Sequence, residues 1–111
     1  MAGKFECYKD KRGEFRFRLK AGNGEVVLAS EGYKAKASCK KGIASVQKNC
    51  SNPACFEAKT TPSGKFRFNL KSTNGQVIGT SESYETERSR DAGMKSVTRA
   101  ATGAKVEDLT V

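Results

Sequence analysis

The feature that most constrains this chain is an internal repeat, because a shift of 51 residues superposes its two halves without a gap. About 18 of some 46 aligned pairs are identical. Two matching halves predict one structural unit used twice, at about 4–53 and 54–111, within a single domain spanning 1–111. Residues kept in both copies are expected to serve the shared fold, and residues that differ are not required by it.

Alternation of apolar and basic residues predicts a β-strand in each copy. Every second residue of Glu14–Lys20 is apolar, and Lys65–Lys71 repeats the pattern. A period of two gives the strand one buried face and one wet face, which is typical of an antiparallel sheet. The basic side chains on the wet face are Arg16, Arg18, Lys20, Arg67 and Lys71.

An Asn-Gly pair follows each of these strands and predicts a hairpin. A two-residue turn would pair Leu19 with Leu28, whereas a three-residue loop ending in a left-handed glycine would pair Leu19 with Val27. Position 27 and its equivalent, Ile78, are both branched and apolar, so the three-residue loop is favoured. In the second copy this loop would pair Leu70 with Ile78.

The apolar period becomes helical after Tyr33 and again after Tyr84. The stripe in the first copy consists of Cys39, Gly42, Ile43, Val46 and Cys50, and the second copy repeats it with Gly93, Met94, Val97 and Ala101. A glycine within a helix costs up to about 1 kcal/mol relative to Ala. A glycine kept in both helices therefore predicts a close approach of helix to sheet.

The tail at 105–109 resembles the start of each copy, because an apolar-Glu pair recurs at positions 5, 56 and 106. We hypothesise that the tail strand closes the second unit as the 55–59 strand closes the first. The predicted fold class is α+β, with one antiparallel sheet and two helices packed on one of its faces.

The repeated pattern resembles the YegP-like family of small bacterial proteins. The motif is Gly-x-Phe-x-Phe-x-Leu-Lys-x-x-Asn-Gly-x-Val/Ile, then Ser-Glu-x-Tyr, then Gly-Ile-x-Ser-Val, at Gly13–Val46 and, with Met94 in place of Ile, at Gly64–Val97. The resemblance implies two tandem β-β-β-α-β units that share one sheet through exchanged C-terminal strands. It also implies that a tandem chain is a monomer that mimics a dimer of single units. The family has no established activity, so no functional residue is carried over.

Catalysis is not predicted. The chain has no histidine, which excludes His-based triads, proton relays and His-ligated metals. Glu31 and Glu82 are symmetric candidates for paired carboxylates, but each follows a Ser at the end of a strand and is better explained as part of that strand exit. The sequence therefore predicts no catalytic residue, no cofactor and no enzyme.

The four cysteines do not form a metal motif, since Cys50 and Cys55 lack a zinc-ligand spacing and no Cys-x-x-Cys is present. Positions 58 and 90, equivalent to Cys7 and Cys39, hold Ala and Arg. Free thiols, partly buried as small hydrophobes, are expected. A Cys50–Cys55 disulfide under oxidation is the alternative.

The basic sheet face is the first candidate binding surface, in a chain of net charge +9. Its spacing of about 7 Å between alternate residues is close to that of successive phosphates. The predicted polyanion-binding residues are Arg16, Arg18, Lys20, Arg67, Lys71 and, as a stacking surface, Tyr8. The alternative is a solvated face that carries charge for solubility.

A second basic group, the lysine cluster, surrounds the first predicted helix. Its members are Lys34, Lys36, Lys40, Lys41 and Lys48, and their equivalents in the second copy are Glu85, Glu87, Asp91, Ala92 and Arg99. This cluster belongs to this chain rather than to the fold, and it could dock an acidic protein partner. The first residues lack the apolar stretch of a signal peptide, and no run is long enough to span a bilayer, so a cytoplasmic protein without a membrane partner is expected.

Overall fold

Both copies fold into three strands followed by a helix, in a computed structural model that describes residues 3–110. The first copy forms β1 (Lys4–Lys9), β2 (Phe15–Lys20), β3 (Val26–Ala29) and α1 (Lys36–Asn49). After a 3-10 turn at Pro53–Cys55, the second copy forms β4 (Phe56–Thr60), β5 (Phe66–Lys71), β6 (Val77–Thr80) and α2 (Glu87–Ala101), and the tail forms β7 (Lys105–Asp108). The predicted α+β class is confirmed.

All seven strands belong to one sheet, in the order β4-β5-β6-β3-β2-β1-β7. The copies meet at its centre, where β3 and β6 run antiparallel and Ala29 pairs with Thr80. These two residues are 51 positions apart and so are equivalent in the repeat, which places an approximate two-fold axis at this pair. The sheet is antiparallel throughout except between β1 and β7, which are parallel.

The tail hypothesis is wrong in its choice of partner. β7 pairs with β1 of the first copy, and β4 pairs with β5 of the second, so each strand that follows a helix joins the other copy. The end of α2 lies beside the start of β1, where the Ala100 carbonyl accepts a hydrogen bond from Gly3 N at 3.0 Å, so the tail that follows is next to β1. The exchanged strands implied by the family resemblance are therefore present.

The hairpin prediction was right about the loop and wrong about the register. The Ala21 N to Glu25 O hydrogen bond, of 2.8 Å, closes a three-residue loop that ends at Gly24 with φ +88°. A β-bulge follows, however, so Leu19 pairs with Leu28 instead of Val27. The second copy has the same bulge, and Leu70 accordingly pairs with Gly79 and not with Ile78. In a bulge, one strand has an extra residue that has no direct partner on the other strand. Val27 is this extra residue in the first copy, which explains why Val27 and Leu28 are both buried although they are consecutive.

Both helices cover the same side of the sheet and share one core. Phe17 and Phe68 are fully buried in a single apolar cluster that draws on both copies. Gly42 of α1 lies so near the sheet that a Cβ there would come within 2.7 Å of the Tyr33 hydroxyl. The equivalent Gly93 has the same relation to Tyr84, which confirms the predicted close approach.

Candidate functional site

The open face of the sheet, opposite the helices, carries the predicted basic residues in two separate groups. Arg16, Arg18 and Lys20 lie on β2, whereas Arg67 and Lys71 lie on β5. Strands β3 and β6 lie between them, so three inter-strand steps of about 4.8 Å separate the groups by roughly 14 Å. The structure therefore does not gather the five cations into one continuous row.

Two cations of the first group, Arg18 and Lys20, contact Glu6, a carboxylate on β1 whose residue is only 5% exposed. Arg18 Nε donates to Glu6 Oε1 at 2.6 Å, and Lys20 Nζ lies 3.2 Å from the same oxygen. Lys4 Nζ lies 3.4 Å from the other oxygen. Hydrogen bonding by Arg18 outweighs the effect of burial and lowers the pKa of Glu6 to about 2. Much of the positive charge predicted for this face is thus balanced within the protein.

Arg16, the remaining cation of the first group, is also engaged, and Arg18 makes a second contact. Arg16 Nε donates to Asp10 Oδ2 at 2.7 Å, and this hydrogen bond lowers the pKa of Asp10. The Arg18 guanidinium lies over the Tyr8 ring, 4.5 Å from its centroid. One face of the ring predicted to stack on a base is therefore covered by a cation.

The second group differs from the first in one respect. Lys71 Nζ donates to Glu57 Oε2 at 2.8 Å, as Lys20 contacts Glu6 in the first copy. Arg67 has no carboxylate partner among the described residues, and its Nη2 donates to Ser83 Oγ at 3.3 Å. Its buried Nε is the one buried side-chain nitrogen or oxygen in residues 3–110 that lacks a hydrogen-bond partner.

The lysine cluster lies on and beside α1, away from the open face. Lys36 pairs with Asp108 of β7 at 2.5 Å, and this contact is the main reason that the pKa of Asp108 is lowered. The other four members are exposed and form no ion pair within the part of the chain that the structure describes: Lys34, Lys40, Lys41 and Lys48. Most of the cluster is therefore free to contact a partner.

Exposed apolar side chains adjoin this cluster. Val106 of β7 is 46% exposed and Leu109 is 44% exposed. Between α1 and β7 lies a depression of about 330 Å³, lined by Ile43, Ala44 and Val106 together with Lys40, Gln47 and Asp108. Cations and apolar groups thus meet on one surface.

The candidate carboxylates occupy exposed positions at strand exits. Ser30 Oγ accepts from Phe17 N at 2.9 Å and donates to the Glu31 carbonyl at 2.8 Å. Ser81 makes the equivalent pair of bonds, and it donates to the Glu82 carbonyl. The repeated Ser-Glu motif is therefore explained by backbone hydrogen bonding of the serine, and both glutamate side chains face solvent.

All four cysteines are free thiols and all are buried. The pair that lies closest is Cys7 on β1 and Cys39 on α1, whose sulfur atoms are 3.6 Å apart. Burial raises the pKa of Cys39 to about 12, which makes it a poor nucleophile. Sequence spacing pointed to Cys50 and Cys55 and missed this contact, because only the packing of α1 on β1 brings the two sulfurs together. Within residues 3–110, no cluster of three or more Cys, Asp or Glu side chains has the arrangement of a metal site.

The comparison with protein families identifies both repeats. The model described as "Domain of unknown function (DUF1508)" matches twice, at residues 10–57 and 62–108. A UPF0339 protein from the ptx operon 5′ region of Stutzerimonas stutzeri is 55% identical, with 98% of each chain covered. The UPF0339 protein YegP of Escherichia coli strain K12 is 50% identical over 99% of this chain and 100% of its own length. The resemblance to the YegP-like family is thus confirmed.

Two solved structures share the fold. The solution NMR structure of yegP from E. coli, described as a protein of unknown function, superposes with a TM-score of 0.94. It is 50% identical, and the match covers 99% of this chain and 95% of that one. A UPF0339 protein from Shewanella oneidensis gives a TM-score of 0.93 at 43% identity, with 99% and 93% of the chains covered. The descriptions of these relatives name no specific role, so the function is argued from the surfaces of this chain.

Proposed function

We propose that this chain, which belongs to the DUF1508 family, is a non-enzymatic binding module of the cytoplasm. It docks an acidic protein partner on α1. The observation that carries this proposal is the contrast between two basic surfaces. The cations of the open sheet face are largely paired with carboxylates, whereas four lysines of the lysine cluster have none in the described residues. Unpaired cations bind an external anion without first breaking an internal ion pair.

The local sequence strengthens the positive potential around α1. No Asp or Glu occurs from position 32 to position 56, a stretch that holds five lysines. Asp108 approaches from β7, and it is already bound to Lys36. A surface of this kind attracts acidic segments and raises their rate of association.

Apolar neighbours favour a protein partner over a nucleic acid. Protein interfaces combine apolar and polar groups, and the depression between α1 and β7 is lined by Ile43, Ala44 and Val106 together with Lys40, Gln47 and Asp108. Surfaces that bind nucleic acid instead place aromatic rings among their cations, and bases stack on those rings. The candidate ring, Tyr8, lies on the open sheet face away from α1, and Arg18 covers one side of it. The expected partner is an acidic segment with a small aliphatic side chain that enters the depression.

Other features of the chain support the remaining parts of the proposal. Four free buried thiols suit a reducing compartment such as the cytoplasm. The approximate two-fold axis between β3 and β6 supports a monomer that mimics a dimer of single repeats. No helix within residues 3–110 has the length and apolarity needed to cross a membrane.

The test uses fluorescence anisotropy with a short labelled peptide of Asp, Glu and Leu at about 50 mM salt. Exchange of Lys40 and Lys48 for glutamate (K40E/K48E) is expected to weaken binding by about tenfold or more. The matched control reverses two exposed cations of α2 (K95E/R99E), which changes the net charge equally and is expected to leave affinity within about threefold. Equal losses in the two variants would contradict docking on α1.

Single-stranded and duplex DNA and RNA form the second arm of the same experiment. The peptide is expected to bind more tightly than any nucleic acid of equal charge. Nucleic-acid binding that survives K40E/K48E and disappears on charge reversal of Arg16, Arg18 and Lys20 would instead support the open sheet face.

A further inference from the structure

The buried Nε of Arg67 marks a place where the first repeat has an anionic oxygen and the second repeat has none. In the first copy Arg16 Nε donates to Asp10 Oδ2 at 2.7 Å. The position equivalent to Asp10 is Thr61, because 10 and 61 differ by the repeat length of 51. Arg67, the equivalent of Arg16, has a buried Nε–H with no acceptor among the described residues.

Asp10 both caps a turn and binds a guanidinium, and Thr61 keeps only the first of these two roles. Asp10 Oδ1 accepts from Glu14 N at 2.9 Å and so caps the β1–β2 turn, while Oδ2 binds the guanidinium. Thr61 Oγ1 accepts from Lys65 N at 3.0 Å and caps the β4–β5 turn in the same way. A threonine has no second oxygen, so the turn is kept and the partner of the guanidinium is lost. A buried donor left without an acceptor is destabilising, and an oxygen from an external anion would satisfy it.

The surroundings of Arg67 suit an anion. It lines an open depression of about 510 Å³ into which no Asp or Glu projects from residues 3–110. Hydroxyl groups come from two places, with Thr61 and Ser63 on the β4–β5 turn and Ser83 beyond β6. Lys59 adds a second cation on β4. The Glu57 carboxylate contacts two lysines of this end of the sheet, with Oε1 3.6 Å from Lys59 Nζ and Oε2 2.8 Å from Lys71 Nζ.

We propose that Arg67, with Lys59 and the hydroxyls of Thr61, Ser63 and Ser83, binds a single tetrahedral oxyanion of the phosphate class. The planar carboxylate of Asp10 fills the equivalent place in the first copy, where one oxygen accepts from turn amides and the other from the guanidinium. Donors arranged around several sides in the second copy match an anion with several oxygens. The site lies on the sheet face opposite α1 and is independent of the proposed docking surface.

The test follows the ¹⁵Nε signal of Arg67 and the amides of residues 61–65 by NMR during a titration with inorganic phosphate. Potassium chloride at equal ionic strength is the control for screening. A saturable shift confined to these signals is expected, with a dissociation constant on the order of 1 mM. Phosphate and chloride that act alike, or a shift that does not saturate, would overturn the proposal.

Two reciprocal variants use the repeat as their own control. Thr61→Asp supplies the missing carboxylate and is expected to weaken the phosphate response at Arg67 by about tenfold or more. Asp10→Thr removes the internal carboxylate and is expected to create a phosphate response at Arg16 Nε. A Thr61→Asp protein that folds and still responds like the parent would also overturn the proposal.

A phosphate monoester, glucose 6-phosphate, distinguishes the source of the group. A tighter response than with inorganic phosphate would identify an esterified ligand, and an equal or weaker one would identify the free ion. Both results support the site, provided that Thr61→Asp abolishes them.

Discussion

At the scale of single residues, the two copies show how neighbours decide the state of the same side chain. Glu6 and Glu57 are equivalent and both accept hydrogen bonds from β-strand cations. The side chain of Glu6 is 7% exposed, with Arg18 and two lysines around it, whereas that of Glu57 on edge strand β4 is 33% exposed. The buried carboxylate therefore depends far more on its cations than the exposed one does.

Replacement of the buried carboxylate tests this difference. Glu6→Gln is expected to lower the free energy of unfolding by about 2 kcal/mol, because it removes charged hydrogen bonds from a buried position. The matched variant, Glu57→Gln, is expected to cost less than about 1 kcal/mol, since solvent screens that site. Urea denaturation at neutral pH measures both values. A larger loss for Glu57→Gln than for Glu6→Gln would contradict the role assigned to burial.

The pKa of Glu6 also predicts a pH dependence. Its folded pKa of about 2 lies below the ordinary value of 4.5, so its contribution is complete above pH 4.5 and declines as the pH falls toward 2. Denaturant midpoints of the parent protein should therefore fall across this range. Glu6→Gln is expected to show a shallower fall, and parallel curves for the two proteins would show that Glu6 does not cause the dependence.

Sequence periodicity identified the wet face of β2 but not what its side chains contact. The period of two places Arg16 and Arg18 outward without any knowledge of neighbouring strands. Their partners, Asp10 and Glu6, come from a turn and from the adjacent strand, so they depend on register. The signal that could have found the Arg67 site was the Asp10-to-Thr61 difference between the copies, which is visible in the repeat alignment.

At the scale of elements, β7 supplies what α1 lacks on its own. α2 has a Thr86 side chain that caps its first turn and Glu87 near its positive end. α1 has no side-chain cap and begins with Lys36, a cation in the least favourable place for the helix dipole. Asp108 of β7 provides the missing carboxylate through its contact with Lys36.

Deletion of residues 104–111 tests the contribution of the tail. The shortened chain is expected to lose about 3 kcal/mol, from the β1–β7 hydrogen bonds and the Asp108 contact. For a chain of this size that corresponds to a fall in Tm of roughly 13 °C. Thermal unfolding followed by circular dichroism measures the shift. An unchanged melting curve would show that β7 adds nothing to stability.

The exposed face of β7 offers the control for this deletion. Val106 is 46% exposed, so Val106→Ala removes little buried surface and is expected to cost less than about 0.5 kcal/mol. A large loss from this variant would mean that the deletion acts through side-chain packing and not through the strand pairing.

Element type was predictable from the sequence, whereas strand pairing was only partly so. The helical stripe, the three-residue loop and the alternating strands all follow from local patterns. The bulge between Leu19 and Lys20 was missed because Val27 and Leu28 are both apolar, and alternation cannot show which of them opposes Leu19. The partner of β7 was missed because it depends on where α2 ends in space.

At the scale of the whole molecule, the approximate two-fold axis explains one difference between the copies that the sequence left unexplained. Leu28 and Gly79 are equivalent, and both lie near the axis where β3 meets β6. A Cβ built on Gly79 would lie 2.7 Å from Leu28 Cδ2, in a fully buried region. One large side chain fills the space at the axis, so its counterpart has to be glycine.

This shared space predicts that the two residues can be exchanged but not changed singly. Gly79→Leu is expected to lose about 3 kcal/mol through overpacking, and Leu28→Gly about 4 kcal/mol through the cavity that it leaves. The double variant L28G/G79L is expected to be more stable than either single variant, because the leucine then occupies the same space from the other copy. Urea denaturation of all four proteins gives the coupling free energy. If the double variant lost the sum of the two single losses in unfolding free energy, residues 28 and 79 would not share one volume. The explanation of Gly79 by packing at the two-fold axis would then be wrong.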